Sequence, residues 1–379
     1  MRHINRRAFL KTVGAAAAGA LIGACQGQGP EPAAPAPTTV SAGMPPAATV
    51  AIARAKTYDR KLVREQVQAA LDAIGGVGDV IRPGASVALK VNLTGGTSCP
   101  TLHGVSRVES YWTHPEVVRA LGELLRDAGA KTLYIVEGVF TDDSFAKAGY
   151  ADIAQPLDAT LVDLNYPKPY KDNYTASVGK GWLIYENFSF HPVLDNVDAF
   201  VSVPKLKCHF CCGVTVAMKN LVGLGPWHLY CRQPADYSRS AFHVGADGKQ
   251  DFKPRLPRVV VDLNRARPIQ LALVDGITTI DGGENGYNLG THAQAPGVLI
   301  AGKNAVATDA VAAAVMGFDP AADYPNAPFL RGDNHLNIAR QLGLGTNRLE
   351  EIEIKGAALD EVRQKFVPSG VIGDPPFLS

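Results

Sequence analysis

The sequence has no excess of either charge: 37 Lys and Arg face 36 Asp and Glu over 379 residues. That balance gives no electrostatic footprint for nucleic acid. The apolar run from Thr12 to Ala24 falls short of the ~20 residues a membrane-spanning helix needs. Beyond residue 48 there is no internal repeat, no second linker and no low-complexity tract, which excludes repeat architectures. Cysteine is scarce. Besides Cys25 there are Cys99, Cys208, Cys211, Cys212 and Cys231, an odd number that cannot all pair within the chain. Cys208 to Cys212 is not C-x-x-C-H, so no c-type haem is attached there, and the thiol spacings are not those of ferredoxins. The glycine-rich turn Asp281-Gly282-Gly283-Glu284-Asn285-Gly286 is not a G-x-G-x-x-G fingerprint, and no strand runs directly into it.

What is present begins with an address. Asn5-Arg6-Arg7-Ala8-Phe9-Leu10-Lys11 reads as a twin-arginine export signal, and Ile22-Gly23-Ala24-Cys25 as a lipobox whose Cys25 is lipidated after cleavage. Residues 26–48, rich in Pro, Ala and Gly with Glu31 as the one charge, read as a flexible tether. Removal of the signal takes Arg2, Arg6, Arg7 and Lys11 with it, leaving a net charge of about −3. The expected partners are the export machinery, a membrane held through the lipid, and a small-molecule ligand. The expected location is the periplasmic or extracellular face. Because this route carries folded proteins, a cofactor loaded before export is compatible with it.

Residues 49–379 read as one large α/β domain. Leu62, Val63, Val67, Ala70, Leu71 and Ile74 recur at helical spacing between Asp59 and Ile74. Ser86 to Val91 reads as a strand. Thr113-His114-Pro115-Glu116 is a capping box that opens a helix reaching about Asp127, and Thr132 to Val136 returns as a strand. Strand, helix and strand of these lengths form a βαβ unit, so a mostly parallel sheet with flanking helices is expected. Further strands are expected at 159–162, 199–203, 270–274 and 297–300, helices at 259–265 and 308–316, and an antiparallel hairpin near Trp182 to Phe190. Residues 225–257 and 318–335 read as long loops.

The densest chemistry lies in 205–225, KLKCHFCCGVTVAMKNLVGLG, just after the apolar strand at 199–203. An α/β sheet places its chemistry at such strand ends. If the strand continues, Lys205, Lys207 and His209 share one face and Cys208 takes the other. A row of cations suits a carboxylate or phosphate, and equally a lysine-guarded edge strand. Lys219-Asn220 with Gly223 and Gly225 suggests a backbone cradle around a buried lysine. Lys90 and Asn92, His114, Glu137-Gly138 and Asp275-Gly276 stand at expected element ends as further contacts, against solvated strand ends or a simple glycine turn. Asp309 opens a helix, where it caps or binds. Cys208, Cys211 and Cys212, with His209, are the candidate metal ligands. The alternatives for the thiols are disulfides or small core residues.

Lys90-Val91-Asn92, Thr113-His114-Pro115, Val203-Pro204-Lys205-Leu206-Lys207 with His209, Gly213-Val214-Thr215, Lys219-Asn220-Leu221-Val222-Gly223, Asp275-Gly276 and Thr308-Asp309-Ala310 together resemble the family catalogued as domain of unknown function 362. The resemblance covers about residues 85–320 and implies no particular reaction. Some relatives carry a ferredoxin-like cluster module, which this chain lacks. A more distant similarity is to lactate racemase-type enzymes, with Asp198, His209, Gly213 and Lys219 at the matching positions and His228 or His243 as the later histidine, a further candidate metal ligand. It implies a nickel-pincer nucleotide on Lys219, histidines as metal ligand and acid/base, and hydride transfer from a 2-hydroxy acid. Where those enzymes place another catalytic histidine, this chain has Glu137-Gly138.

Two functions of different class follow. One is an exported enzyme on a small anionic substrate, with His209, Lys219 and Glu137 catalytic. Lys219, Asn220 and Gly223 would hold a cofactor, and Lys90, Asn92, His114, Lys205, Lys207, Asp275 and Asp309 would hold substrate. The other is a surface lipoprotein carrying a metal or ligand on its Cys/His cluster.

Overall fold

Short β-branched and apolar runs form thirteen strands among the described residues of the computed structural model, which are 48–102, 104–232, 239–245, 251, 253–288 and 290–370. They are β1 (Ala48–Arg54), β2 (Ser86–Lys90), β3 (Thr132–Glu137), β4 (Ala159–Asp163), β5 (Tyr174–Ser177), β6 (Asn187–Phe190), β7 (Ala199–Ser202), β8 (Lys205–His209), β9 (Gly213–Thr215), β10 (Leu271–Asp281), β11 (His292–Gln294), β12 (Val298–Gly302) and β13 (Ile352–Gly356). The large sheet has eleven strands in the order β13-β1-β12-β10-β7-β2-β3-β4, with β11 and β8 also on β10 and β9 on β8. From β10 to β4 every pair in that order is parallel, while β12 runs antiparallel to β10 and β1. The expected α/β architecture is the one present. The export signal, Cys25 and all of the tether but Ala48 lie outside the described residues; Ala48 opens β1. No helix among the described residues is long and apolar enough to cross a membrane.

Both faces of the sheet are covered, which is why its strands read as continuous apolar runs rather than alternating ones. Alternation still sorts the side chains. Val87, Leu89, Leu133, Ile135 and Val201 meet the helices Arg60–Ala73 and Pro115–Asp127. Ala88, Val136 and Phe200 face the helices Arg255–Ala266 and His335–Gln341. Val50, Ile52, Val274 and Ile300 meet the helix Ala305–Val315. The buried Asp262 of the Arg255–Ala266 helix accepts the amides of Leu183, Ile184 and Tyr185, and so holds the loop that joins β5 and β6 against the body.

Three expectations change. The strand expected to stop at Val274 continues to Asp281, because β8 pairs with Asp275 and Ile280 across an irregularity in register and β11 pairs with Thr279, Ile280 and Asp281. The helix from Pro115 is capped by His114 rather than Thr113: His114 Nδ1 accepts the Glu116 amide, while Thr113 Oγ1 bridges the Asn92 amide and the Val203 carbonyl. Within 318–335, read as loop, Asn334 caps a helix starting at His335, its Oδ1 accepting the Leu336 and Asn337 amides.

Candidate functional site

The parallel strands deliver their carboxyl ends to one edge, and the polar side chains there form two groups. β8 is buried at all five positions, and its alternation sends Leu206 and Cys208 into one core and Lys205, Lys207 and His209 to the other side. Lys205 Nζ lies 2.9 Å from Asp275 Oδ2 and 2.8 Å from the Tyr58 hydroxyl. Tyr58 OH in turn donates to Asp275 Oδ1, and the His114 amide to Asp275 Oδ2. The His114 ring stacks on Tyr58 at 3.6 Å, and burial pushes its pKa down to about 4 despite the Asp275 charge. Lys207 Nζ donates to Asn92 Oδ1 and the Tyr111 carbonyl, both at 2.9 Å. Burial lowers its pKa to about 7, opposed by Glu284.

Lys90, fully buried, pairs with Glu137 at 2.8 Å and donates to the Val91 carbonyl and Asn220 Oδ1. Glu137 also accepts the Leu93 and Gly138 amides. Asn220 donates to the Lys90 carbonyl and the Ser202 hydroxyl, and accepts from Asn92. Gly223 lies against this pair so closely that a Cβ would collide with Glu137 Oε1 and stand 2.8 Å from Lys90 Nζ, which requires glycine there. Lys90, Asn92, Glu137, Lys205, Lys207, Asn220, Gly223 and Asp275, expected as catalytic, substrate or cofactor contacts, are thus committed to one another. Such mutual satisfaction is what buried charges require.

The second group is open. Lys219 begins a 3₁₀ turn, Lys219–Leu224, and is partly exposed rather than buried as expected; among the described residues its amine has no hydrogen bond or ion pair. The turn before it is held by Asp309, whose two oxygens accept the Ala217 and Met218 amides at 2.8 and 2.9 Å. Burial raises the Asp309 pKa to about 7, against those two bonds. Asp309 therefore places Lys219 instead of touching a ligand. His209 Nδ1 accepts the Cys211 and Cys212 amides, so its proton sits on Nε2 and faces Glu284 Oε2 at 2.7 Å. Burial pushes Glu284 upward, but His209, Lys219 and Lys207 outweigh it and hold the carboxyl well below its usual range. His243 joins this group: burial, then Lys219 and His209, take its pKa down to about 4.

Glu284, in the acidic turn noted in the sequence, is the partner that pattern reading left unassigned. His335 escaped it entirely. Its ring is buried with neither nitrogen bonded among the described residues, and burial, His209 and Lys219 lower its pKa to about 3. No spacing in the sequence ties it to His209. The link is spatial: Phe329 meets the His335 ring edge-on at 6.2 Å and also presses on Gly213, where a Cβ would stand 2.8 Å from its ring. Gly213, at φ +73, turns the β8–β9 hairpin beneath that ring.

Several expected ligands do not converge. Cys208 belongs to a different core from Cys211 and Cys212, and its thiol donates to the Val367 carbonyl. Burial raises the pKa values of Cys208 and Cys212 to about 12, the opposite of what a metal-binding thiolate needs. Cys99 is buried beside Tyr111, while Cys231 is part-exposed beside the His228 carbonyl. His228 stacks on the exposed Tyr166 instead of joining His209. Among the described residues no group of three or more His, Cys, Asp or Glu is placed to hold a metal ion. Asp198, matched to a racemase position, is exposed at the start of β7, where it accepts the Ser86 amide and hydroxyl at the sheet's amino edge.

A mixed, mostly parallel sheet with a polar cluster at its carboxyl edge defines an α/β protein of the class that builds small-molecule sites there. The family model described as "Domain of unknown function (DUF362)" matches residues 87–314, and the chain belongs to that family. It is 26% identical over 288 residues to the thylakoid-associated protein sll1697 of Synechocystis sp., covering 72% of this chain and 76% of the relative. Two solved structures are similar in part. Lactate racemase apoprotein from Thermoanaerobacterium thermosaccharolyticum has a TM-score of 0.37 at 11% identity, covering 65% of this chain and 54% of its own. A protein from Thermotoga maritima has a TM-score of 0.35 at 12% identity, covering 61% and 54%. The chain spans about half the length of these two structures.

Proposed function

We propose that the protein is an exported, lipid-anchored enzyme that acts on a small anionic molecule held at Lys219. The observation that carries the reading is a contrast among four lysines: Lys90, Lys205 and Lys207 are bonded internally, whereas Lys219 is partly exposed and, among the described residues, unbonded. A cation placed by a buried carboxylate, with no hydrogen bond or ion pair among the described residues, is arranged for something that arrives. His209 donates to Glu284 and, with Lys219 and Lys207, holds that carboxylate ionised. Export and anchoring rest on the Arg6-Arg7 motif and Cys25. The relative described as thylakoid-associated is compatible with a protein held at a membrane.

Two cofactors can be weighed against these residues. A cluster on thiolates does not fit, since the thiols face different cores and burial keeps them protonated. A covalent nucleotide cofactor fits in one respect, the open amine of Lys219; bound there, it would supply a hydride acceptor for 2-hydroxy acid chemistry.

The test is metal content and intact mass of protein matured in its native host, together with Lys219→Ala. Added mass on the Lys219 peptide establishes the covalent group. A clean mass leaves a cofactor-free anion site. Binding of small carboxylates that survives Lys219→Ala in a folded protein sinks the reading altogether.

A further inference from the structure

Lys207 differs from the two lysines it lies among. Lys90 meets Glu137 and Lys205 meets Asp275, so each of those buried charges has a counter-charge. Both bonds of Lys207 go to neutral oxygens, Asn92 Oδ1 and the Tyr111 carbonyl. An ammonium has three donors, so one is left over. Among the described residues no carboxylate pairs with Lys207, and Glu284 is taken by His209 at 2.7 Å. Its bonds are made but its charge is unanswered, which is costly in a buried position. The residue opposite is unanswered as well. β8 and β9 are antiparallel, and Thr215 is the cross-strand partner of Lys207. Such partners carry their side chains on one face, with Cβ atoms about 4.5–5.5 Å apart. Val214 and Val216, on either side of Thr215, belong with Leu206 and Cys208 to the core behind β8, so Thr215 faces the side of Lys207 and His209. Its hydroxyl is buried and makes no hydrogen bond among the described residues, whereas folded proteins pair nearly all such groups. Hydrogen bonds lead from this pair to the rim: Asn92, which accepts from Lys207, donates to Asn220 Oδ1 at 3.1 Å, and Asn220 follows Lys219 in the same 3₁₀ turn.

We infer that Thr215 and Lys207 form the inner end of the anion site whose rim is Lys219, and that they donate to an oxygen of the ligand's anionic group. This rests on the reading of Lys219 as the anion anchor. A hydroxyl beside an ammonium is a pair of donors converging on one place, and a negative oxygen is the acceptor that uses both while answering the Lys207 charge. Hydrogen bonds to an ionised partner are about twice as strong as neutral ones, so the Thr215 hydroxyl gains most from a charged acceptor. The ligand chemistry is therefore a terminal oxyanion, a carboxylate or a phosphate, with its inner oxygen on Thr215 and Lys207 and its outer face toward Lys219. Thr215 is the binding residue that the Gly213-Val214-Thr215 motif supplies.

The experiment titrates acetate and inorganic phosphate calorimetrically into the full mature chain, as wild type, T215V and T215S. Whichever of the two binds identifies the oxyanion. T215V keeps the shape of the side chain and removes the hydroxyl, so its melting temperature should stay level or rise by about 2–4 °C, while affinity falls about tenfold. T215S restores the hydroxyl and should bind within about threefold of wild type. A second readout follows the proton. Burial holds the Lys207 pKa at about 7, so at pH 8 most of its amines are neutral, and an anion bound beside it should draw in up to about one proton. Binding heats in Tris and in HEPES measure that uptake. A T215V protein that melts about 5 °C or more below wild type marks a structural hydroxyl and overturns the inference. So does T215V binding within about twofold of wild type, or binding at pH 8 with no proton uptake; if Lys219→Ala abolishes that same binding, the anion site stands without its inner end. If wild type binds neither acetate nor phosphate, the anion site fails and the inference with it.

Discussion

Two groups of cations and carboxylates share the carboxyl edge of the sheet and differ in closure. In the first, Lys90 faces Glu137 and Lys205 faces Asp275 at 2.8 and 2.9 Å, with Asn92, Asn220, Tyr58 and backbone amides using the remaining capacity. In the second, among the described residues the Lys219 amine and both His335 ring nitrogens have no hydrogen bond, although His209, Glu284 and Asp309 are bonded. The same residue types thus do opposite jobs a few residues apart. The first group is a charged core whose members specify one another. The second has a fixed frame with two unfilled positions. Residue type and position at a strand end do not distinguish the two; bonding does.

The comparison is broken most severely by opening the closed group. Lys205→Met leaves the Asp275 charge buried without its cation, so unfolding free energy should fall by about 3–5 kcal/mol. Urea denaturation measures this, and a loss below about 1 kcal/mol would mean that Lys205 is not a structural charge. An intermediate effect is expected at the joint between the groups. Asp309 has a pKa raised from 3.8 to about 7, chiefly by burial. Its contribution to stability is therefore fully present below about pH 4 and is lost as pH rises through about 7. Asp309→Asn should flatten the melting profile between pH 4 and pH 8, and an unchanged slope would remove Asp309 from that role.

Smaller effects sharpen the contrast. Cys211→Ser and Cys212→Ser each bury a hydroxyl in place of a thiol and should cost about 1–2 kcal/mol while leaving anion binding intact. Abolished binding in a folded variant would restore the thiol-carrier reading. The smallest stability change belongs to the residue of greatest proposed consequence. Lys219→Ala should shift stability by no more than about 0.5 kcal/mol, as for an unbonded surface group, yet abolish carboxylate binding by calorimetry.

Much of the fold was legible because buried parallel strands are written as unbroken apolar runs: 86–91, 132–136 and 199–203 were each read to within about a residue. The period-two reading of Lys205, Lys207 and His209 likewise gave the face they share. What that reading could not supply was partnership. Asn92 finds Lys207 and Lys90 finds Asn220 across more than a hundred residues, so neither pairing leaves a local pattern. β10 was cut short at Val274 because its continuation depends on the irregular pairing with β8. His335 stood in what looked like loop sequence, and only the fold brings Phe329 between it and the Gly213 turn.

Val367 carries a consequence for synthesis. Its amide donates to Asp281, and its carbonyl accepts from the Gly282 amide and the Cys208 thiol. These bonds tie down the turn that carries Glu284, and the ribosome makes Val367 long after every other residue of that turn. The turn that carries Glu284 therefore takes its position from a stretch of backbone far along the chain, which no reading of the turn's own residues reveals.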